Sequence, residues 1–222
     1  MTRSKSQTLA LSSCLLVSLV FSTVVQAEAQ ENANFKAGLM AYQANDLPMA
    51  YKEFLTAAKA GHSDSQFNLA LMHEHAMGIK KDEKAALSWY GKSAQQGNSN
   101  AQYNLGVLYE NGRGTKVNFA QANEWYRKAS VQGDAWAIGN LGMLYIRADG
   151  VKENKIAGIA LLLQSVTLDN SPQNQAKKNI TGTRGLTPDM IQKAQTLSDI
   201  FSEAEDLLIP LDAYLKQSQD ND

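Results

Sequence analysis

Two imidazoles and a carboxylate stand together at His73-Glu74-His75. His and Glu are metal ligands and acid–base groups, so this triplet is the first place to look for chemistry. On a helix, positions i and i+2 point roughly 200° apart, so the two rings cannot share one metal ion. His73 also stands in register with Tyr109 and Tyr145, which makes it a core substitution. His62 sits in a turn. Gly112-Arg113-Gly114-Thr115-Lys116 has two close glycines and a lysine, but not the G-x-x-x-x-G-K-[ST] spacing of a phosphate loop. Asn179-Ile180-Thr181 is a glycosylation triplet of a kind that chance supplies. Glu74 and Glu110 share a column, yet 36 residues apart they need not converge. No catalytic residue, cofactor site or metal site is therefore expected, and the sequence reads as a non-enzyme.

The elements that carry these residues repeat. AQYNLGVLYENGRG at 101–114 returns as AIGNLGMLYIRADG at 137–150 and as SQFNLALMHEHAMG at 65–78. Gly61, Gly97 and Gly133 keep the 36-residue register, as do Gly78, Gly114 and Gly150, and Trp89-Tyr90 returns as Trp125-Tyr126. Such self-similarity is the signature of a solenoid. Asp46, Asp82, Asn118 and Asn154 each precede a stretch of helical apolar spacing, where their side-chain oxygens can accept from first-turn amides as N-caps. Ala86, Tyr90 and Ser93 form one stripe of a second helix, and Ala122, Tyr126 and Ala129 repeat it. Leu105, Leu108 and Tyr109 face inward on the first helix, with Gly106 letting a neighbour approach closely. The glycines end helices where a left-handed residue carries no steric cost. The unit is helix A, glycine loop, helix B, glycine turn. One such pair cannot bury its apolar face alone, so pairs stack.

The chain ends differ from the repeats. Arg3 and Lys5 precede an uncharged apolar run, and small residues at Val25-Gln26-Ala27 follow. This reads as a signal peptide over 1–27, with 28–33 a flexible lead and no membrane span left after cleavage. Cys14 is the only cysteine; most of the apolar run follows it, which argues against a lipid attachment site. The chain beyond residue 27 then has no cysteine, and its stability must come from packing. Formal net charge is −1, and the stretch 199–222 holds seven acids against one lysine, which excludes the strongly basic face a nucleic-acid binder needs. Past Asn170 the period fades. Pro172 is expected to open a short helix to about Ile180. Thr187-Pro188 opens the last helix, whose stripe is Met190, Ala194, Leu197, Phe201, Ala204 and Leu208, with Pro210 kinking or ending it. That stripe either caps the open end of the stack or forms a dimer seam. The expected layout is repeats over 34–61, 62–97, 98–133 and 134–170, capping helices over 171–217 and a disordered tail at 218–222.

Leu105-Gly106-x-x-Tyr109 followed by Ala122-x-x-x-Tyr126-x-x-Ala129 resembles the tetratricopeptide repeat. The 36-residue length, the Gly112–Gly114 loop and the Trp125–Ala129 end are more specific, and together resemble the Sel-one-like repeat. GLTPDMIQKAQ at 185–195 is similar to a tail that follows such repeats in bacteria. The resemblance implies an all-α fold: a right-handed superhelical solenoid of antiparallel helix pairs. It places a concave groove on helix A, at Asn100, Tyr103, Val107, Glu110 and Asn111 in the central copy. In the copy before, the positions are Asp64, Phe67, Leu71, Glu74 and His75; in the copy after, Trp136, Gly139, Met143, Ile146 and Arg147. Trp136 is either an anchor for a ligand or packing on the preceding repeat. Asn68, Asn104 and Asn140 could clamp a ligand backbone or bond a neighbouring helix; the structural role is favoured because the residue never varies. The partner implied is a protein or peptide in the groove. The resemblance implies an exported, non-catalytic scaffold or adaptor in the bacterial envelope, periplasmic or secreted. The alternatives are a peptidoglycan-linked enzyme or cell-wall-fragment binder, and a homodimer through the final helix.

Overall fold

The computed structural model describes residues 26 and 29–220, and every regular element among them is helical. The expected signal segment lies outside the described residues apart from Gln26, as do Asn221 and Asp222 of the expected tail. The chain divides into two compact units, one ending at Lys81 and the other beginning at Asp82.

The first unit holds α1 (29–43), α2 (Leu47–Ala60) and α3 (Ser63–His75). Residues 29–33, expected as a flexible lead, are the first turns of α1. Asp46 caps α2, its Oδ1 accepting from the Met49 amide at 3.1 Å, with Pro48 in the first turn. His62, read from sequence only as a turn residue, is the N-cap of α3: Nδ1 accepts from the Ser65 amide at 3.2 Å. Gly38 of α1 lets the Phe54 ring of α2 close in, since a Cβ there would stand 2.6 Å from it.

The second unit runs α4 (Glu83–Gln95), α5 (Ser99–Asn111), α6 (Phe119–Val131), α7 (Ala135–Arg147), α8 (Lys155–Leu168), α9 (Ala176–Gly182), α10 (Pro188–Glu203) and α11 (Leu208–Asp220). Asp82, Asn118 and Asn154 cap α4, α6 and α8 through their side-chain oxygens, as the sequence predicts. Asn98 and Asp134 do the same for α5 and α7. Each helix packs on the next, α4 through α8, and α5 also touches α7. The loop after each A helix folds back on it, with the Asn118 amide donating to Tyr109 O and the Asn154 amide to Tyr145 O. Short connections of this kind make antiparallel pairs. Gln102 Nε2 fastens α5 to the end of α4 through Ala94 O at 3.1 Å.

The loop glycines divide their work differently from expectation. The A helices end at Ala76, Gly112 and Ala148, which take the left-handed conformation. Gly78, Gly114 and Gly150 come two residues later, with φ of 70°, 70° and 69°. A Cβ on them would strike Leu47 Cβ, the Glu83 carbonyl and Phe119 Cβ respectively. These are the first residues of the preceding helix B, 31 positions earlier in each case. Glycine is needed there twice over, for its φ and for the close approach to the helix start.

The C-terminal segment corrects several expectations. The short helix is α9, beginning at Ala176; Pro172 lies in the turn before it. Thr187 does cap α10, with Pro188 in its first turn, and Ala194, Leu197 and Phe201 are buried where α10 packs on α8. But α10 stops at Glu203, and Leu208 starts a separate helix. Pro210 therefore neither kinks nor ends a helix: it sits in the first turn of α11, where an amide has no intrahelical acceptor and its absence is harmless. The break shifts the apolar phase, so the buried residues are Leu207 and Leu211 in place of Ala204 and Leu208. Residues 218–220, expected in the tail, finish α11, and Ser218 Oγ accepts from Asn154 Nδ2 at 3.1 Å. Arg127 of α6 pairs with Asp212 of α11 at 2.5 Å. Leu161 and Leu162, which replace Trp-Tyr in the last repeat, are fully buried in the core that α10 closes.

Candidate functional site

In the second unit the expected groove residues stand on α5 and α7. The α7 stripe is Trp136, Asn140, Met143 and Arg147, at helical spacing of 4, 3 and 4. Trp136 is 43% exposed, although a tryptophan usually buries most of its ring. Its position is fixed on two sides. The ring meets Tyr103 of α5 edge-on with centroids 6.1 Å apart, and Nε1 donates to Asp169 Oδ2 at 3.0 Å. Trp136 thus packs on the preceding repeat, one of the two roles sequence offered for it, and presents its other face to solvent. Asp169 is itself held by Ser171, whose backbone amide and hydroxyl lower its carboxyl pKa; burial opposes this and the Trp136 bond adds to it. Val107 and Met143 are half-buried and pack on the core, while Asn100 and Asn111 are exposed at the two ends of α5.

Beneath this surface lies a polar network that sequence only half showed. Tyr126 of α6, predicted as an apolar stripe residue, is fully buried and donates from Oη to Glu110 Oε2 at 2.6 Å. Asn140 Nδ2 donates to the same Tyr126 oxygen at 3.1 Å. Arg147 reaches Glu110 Oε1 at 3.6 Å. One residue from each of two helices and two from a third are locked together, and a satisfied network of this type fixes a surface rather than loosening it. Burial drives the Tyr126 hydroxyl pKa up, and the Glu110 charge and hydrogen bond push the same way. Burial likewise pushes Tyr103 up to about 12, aided by the Asp134 and Glu110 charges.

The repeated asparagines have unequal roles. Asn68 and Asn104 donate to their own helices, at Asp64 O and Asn100 O, at 2.9 and 2.8 Å. Only Asn140 reaches another helix. Gly139 is buried against Ser165 Oγ, 3.0 Å from where a Cβ would stand, so it does not line the groove. Ile146 is half-buried.

In the first unit, Asp64 and His75 of α3 are exposed and Phe67, Asn68 and Leu71 half-buried. Glu74 is 6% exposed and presents no carboxylate to a ligand, contrary to its groove assignment. His73, read as a core substitution, is half-buried and packs edge-on to Tyr51 with ring centroids 5.8 Å apart. Among the described residues no three metal-ligating side chains converge.

A cavity of about 490 Å³ adjoins the α7 stripe, with Met143 and Ile146 on its floor and Lys155, Lys178 and Arg184 among its walls. No sequence pattern pointed to it, because its cations come from three elements with no common period.

The chain matches the Sel1 repeat family over residues 63–98, 99–134 and 137–170. Among solved structures it is similar to a Sel1 repeat protein from Oxalobacter formigenes, at 26% identity over 74% of this chain and 69% of that one, with a TM-score of 0.61. It is also similar to c5321, described as a protective antigen present in uropathogenic Escherichia coli strains and displaying an SLR fold. There the identity is 26% over 89% of this chain and 50% of that one, with a TM-score of 0.49. A search of the curated proteins gives no match.

Proposed function

Because the chain carries three Sel1 repeats, and proteins built from them generally mediate protein–protein interactions, we propose that it is a non-catalytic scaffold that holds a protein partner on α5 and α7. One observation carries this reading. An exposed tryptophan, pinned by Tyr103 and Asp169, stands at one end of a half-buried apolar stripe whose polar neighbours are already bonded to one another. A pre-ordered aromatic loses little entropy on binding, and tryptophans of this kind are where interface energy concentrates. The partner is held through Tyr103, Val107, Trp136 and Met143, with Asn100, Asn111 and the free edge of Arg147 as polar rim. Glu110 and Asn140 support that surface from below.

The scaffold works in the bacterial envelope, as a periplasmic or secreted protein. The support is the basic, apolar, small-residue order of 1–27, which carries the chain's only cysteine. No helix among the described residues is long and apolar enough to cross a membrane.

The test is photo-crosslinking in living cells with a crosslinking residue at Asn100, and separately at exposed Ser88 of α4. A discrete protein adduct at Asn100 that is absent at Ser88 and disappears on Trp136→Ala supports the groove. Equal adducts at both positions, or an Asn100 adduct indifferent to Trp136→Ala, would overturn it. Fractionation of the same cells reads out export: retention of the uncleaved chain in the cytoplasm would sink the envelope assignment.

A further inference from the structure

We infer that the groove is selective for a partner segment with an acidic side chain, which enters the cavity between α7, α8 and α9. The inference rests on the groove reading above and adds the chemistry of what it takes. The cavity is walled by Lys155 at the start of α8, Lys178 of α9 and Arg184 in the loop that follows. Glu153 is the only carboxylate lining it. Lys155 is partly committed, lying 3.7 Å from Glu153 Oε1 and donating to Arg184 O at 3.4 Å. Lys178 and Arg184 are exposed. Three cations against one acid is a local excess in a chain whose formal net charge is −1.

Position makes the charge specific. Met143 belongs both to the α7 stripe and to the cavity floor, so a ligand lying on Trp136 meets the cavity without leaving the apolar surface. From Trp136 the floor residues Met143 and Ile146 lie seven and ten positions along α7. At 1.5 Å per residue that is roughly 10–15 Å. An extended peptide rises about 3.3 Å per residue, so the span corresponds to about three to five residues. The segment recognised therefore carries a large apolar or aromatic residue against Trp136 and an Asp or Glu three to five positions away. Nucleic acid fits less well, because the cations fill one small cavity beside an apolar stripe and do not form a broad basic face.

Random dodecapeptides displayed on phage, selected on the immobilised protein, test this directly. Selections are run in parallel on wild type, on Lys178→Glu/Arg184→Glu and on Trp136→Ala; all three positions are exposed, and circular dichroism checks that each variant is folded. Wild type should enrich peptides with Asp or Glu three to five positions from an aromatic or large aliphatic residue. The winning peptides should bind the charge-reversed protein about tenfold more weakly, with sodium chloride eroding the difference. Winners with an apolar residue but no acid preference, binding wild type and the reversed protein alike, overturn this inference and leave the groove intact. No enrichment on wild type over the blank overturns both.

Discussion

Gly106→Ala is the sharpest test of how the helix pairs are built. Gly106 lies in the middle of α5, and a Cβ there would stand 2.6 and 2.7 Å from Cε1 and Cδ1 of Tyr126. Carbon atoms rest near 3.5–4.0 Å, so the ring must retreat by about 1 Å. It has nowhere to go: Tyr126 is fully buried, and its hydroxyl is held by Glu110 at 2.6 Å and Asn140 at 3.1 Å. Overpacking of this kind costs about 1–3 kcal/mol. Loss of a hydrogen bond to a charged acceptor adds about 1.5–3 kcal/mol if the ring tears free of Glu110. Against this, alanine in a helix interior is better than glycine by about 0.5–1 kcal/mol. The expected net is destabilisation of about 2–4 kcal/mol. Gly91 is the matched control, mid-helix in α4 with no atom within 4 Å of where a Cβ would stand, so Gly91→Ala should stabilise by about 0.5–1 kcal/mol. Urea denaturation followed by circular dichroism reads both on one scale. A third variant separates ring strain from other causes: with Tyr126→Leu already present, adding Gly106→Ala should cost nothing. The reasoning is refuted if Gly106→Ala and Gly91→Ala move the midpoint in the same direction, or if the Leu background leaves the cost unchanged.

Gly114→Ala should cost at least about 2 kcal/mol more than Gly133→Ala in the same urea assay. Both glycines have positive φ, but only Gly114 abuts a backbone carbonyl, that of Glu83. Phe201→Ala should cost about 3–5 kcal/mol, since the ring is buried in the core that α10 closes; a loss below about 1 kcal/mol would mean that α10 is not docked in solution. Absorbance titration at alkaline pH should show Tyr103 ionising near 12 and Tyr126 later still. In the unfolded chain both tyrosines give up their protons near 10, before the folded protein does, so stability should fall as pH rises from about 10 to 12. If all tyrosines titrate together near 10, the hydroxyls are not buried as described.

The fold was legible because its determinants are periodic. Asp82, Asn118 and Asn154 announce helix starts by one mechanism at one spacing, and the alanine–tyrosine stripe repeats with them. The equivalent caps on the A helices were harder to see. His62, Asn98 and Asp134 fill one column with three different side chains, and a histidine cap has no strong sequence signal. The groove was legible only in outline. Asn100, Asn111 and Trp136 are exposed, as a groove position requires, but burial of Glu74 and Gly139 depends on what packs over them, which spacing does not encode. The long final helix failed for a different reason. A 4-3-4-3-4 apolar spacing ran through Ala204 by coincidence, while the true break lies at Ala204–Leu207, where the Asp206 carboxylate accepts from the Leu208 amide at 2.8 Å. The basic cavity was invisible because Lys155, Lys178 and Arg184 share no element.

The glycine of each A–B loop lies so close to the helix start 31 positions behind it that a Cβ would strike it, at Gly78, Gly114 and Gly150. Such a contact acts as a mechanical stop on a ruler. It fixes the step between successive turns of the chain by hard repulsion, where an apolar interface would allow sliding. Duplicating or deleting a whole repeat moves the stop and its target together and leaves the step unchanged. Inserting one residue between them moves only one of the pair. A chain with this device should tolerate the gain or loss of whole units, while a single-residue insertion in the same stretch should cost stability. Tolerance of changes by whole repeats and intolerance of frame slips within one would then share one physical origin.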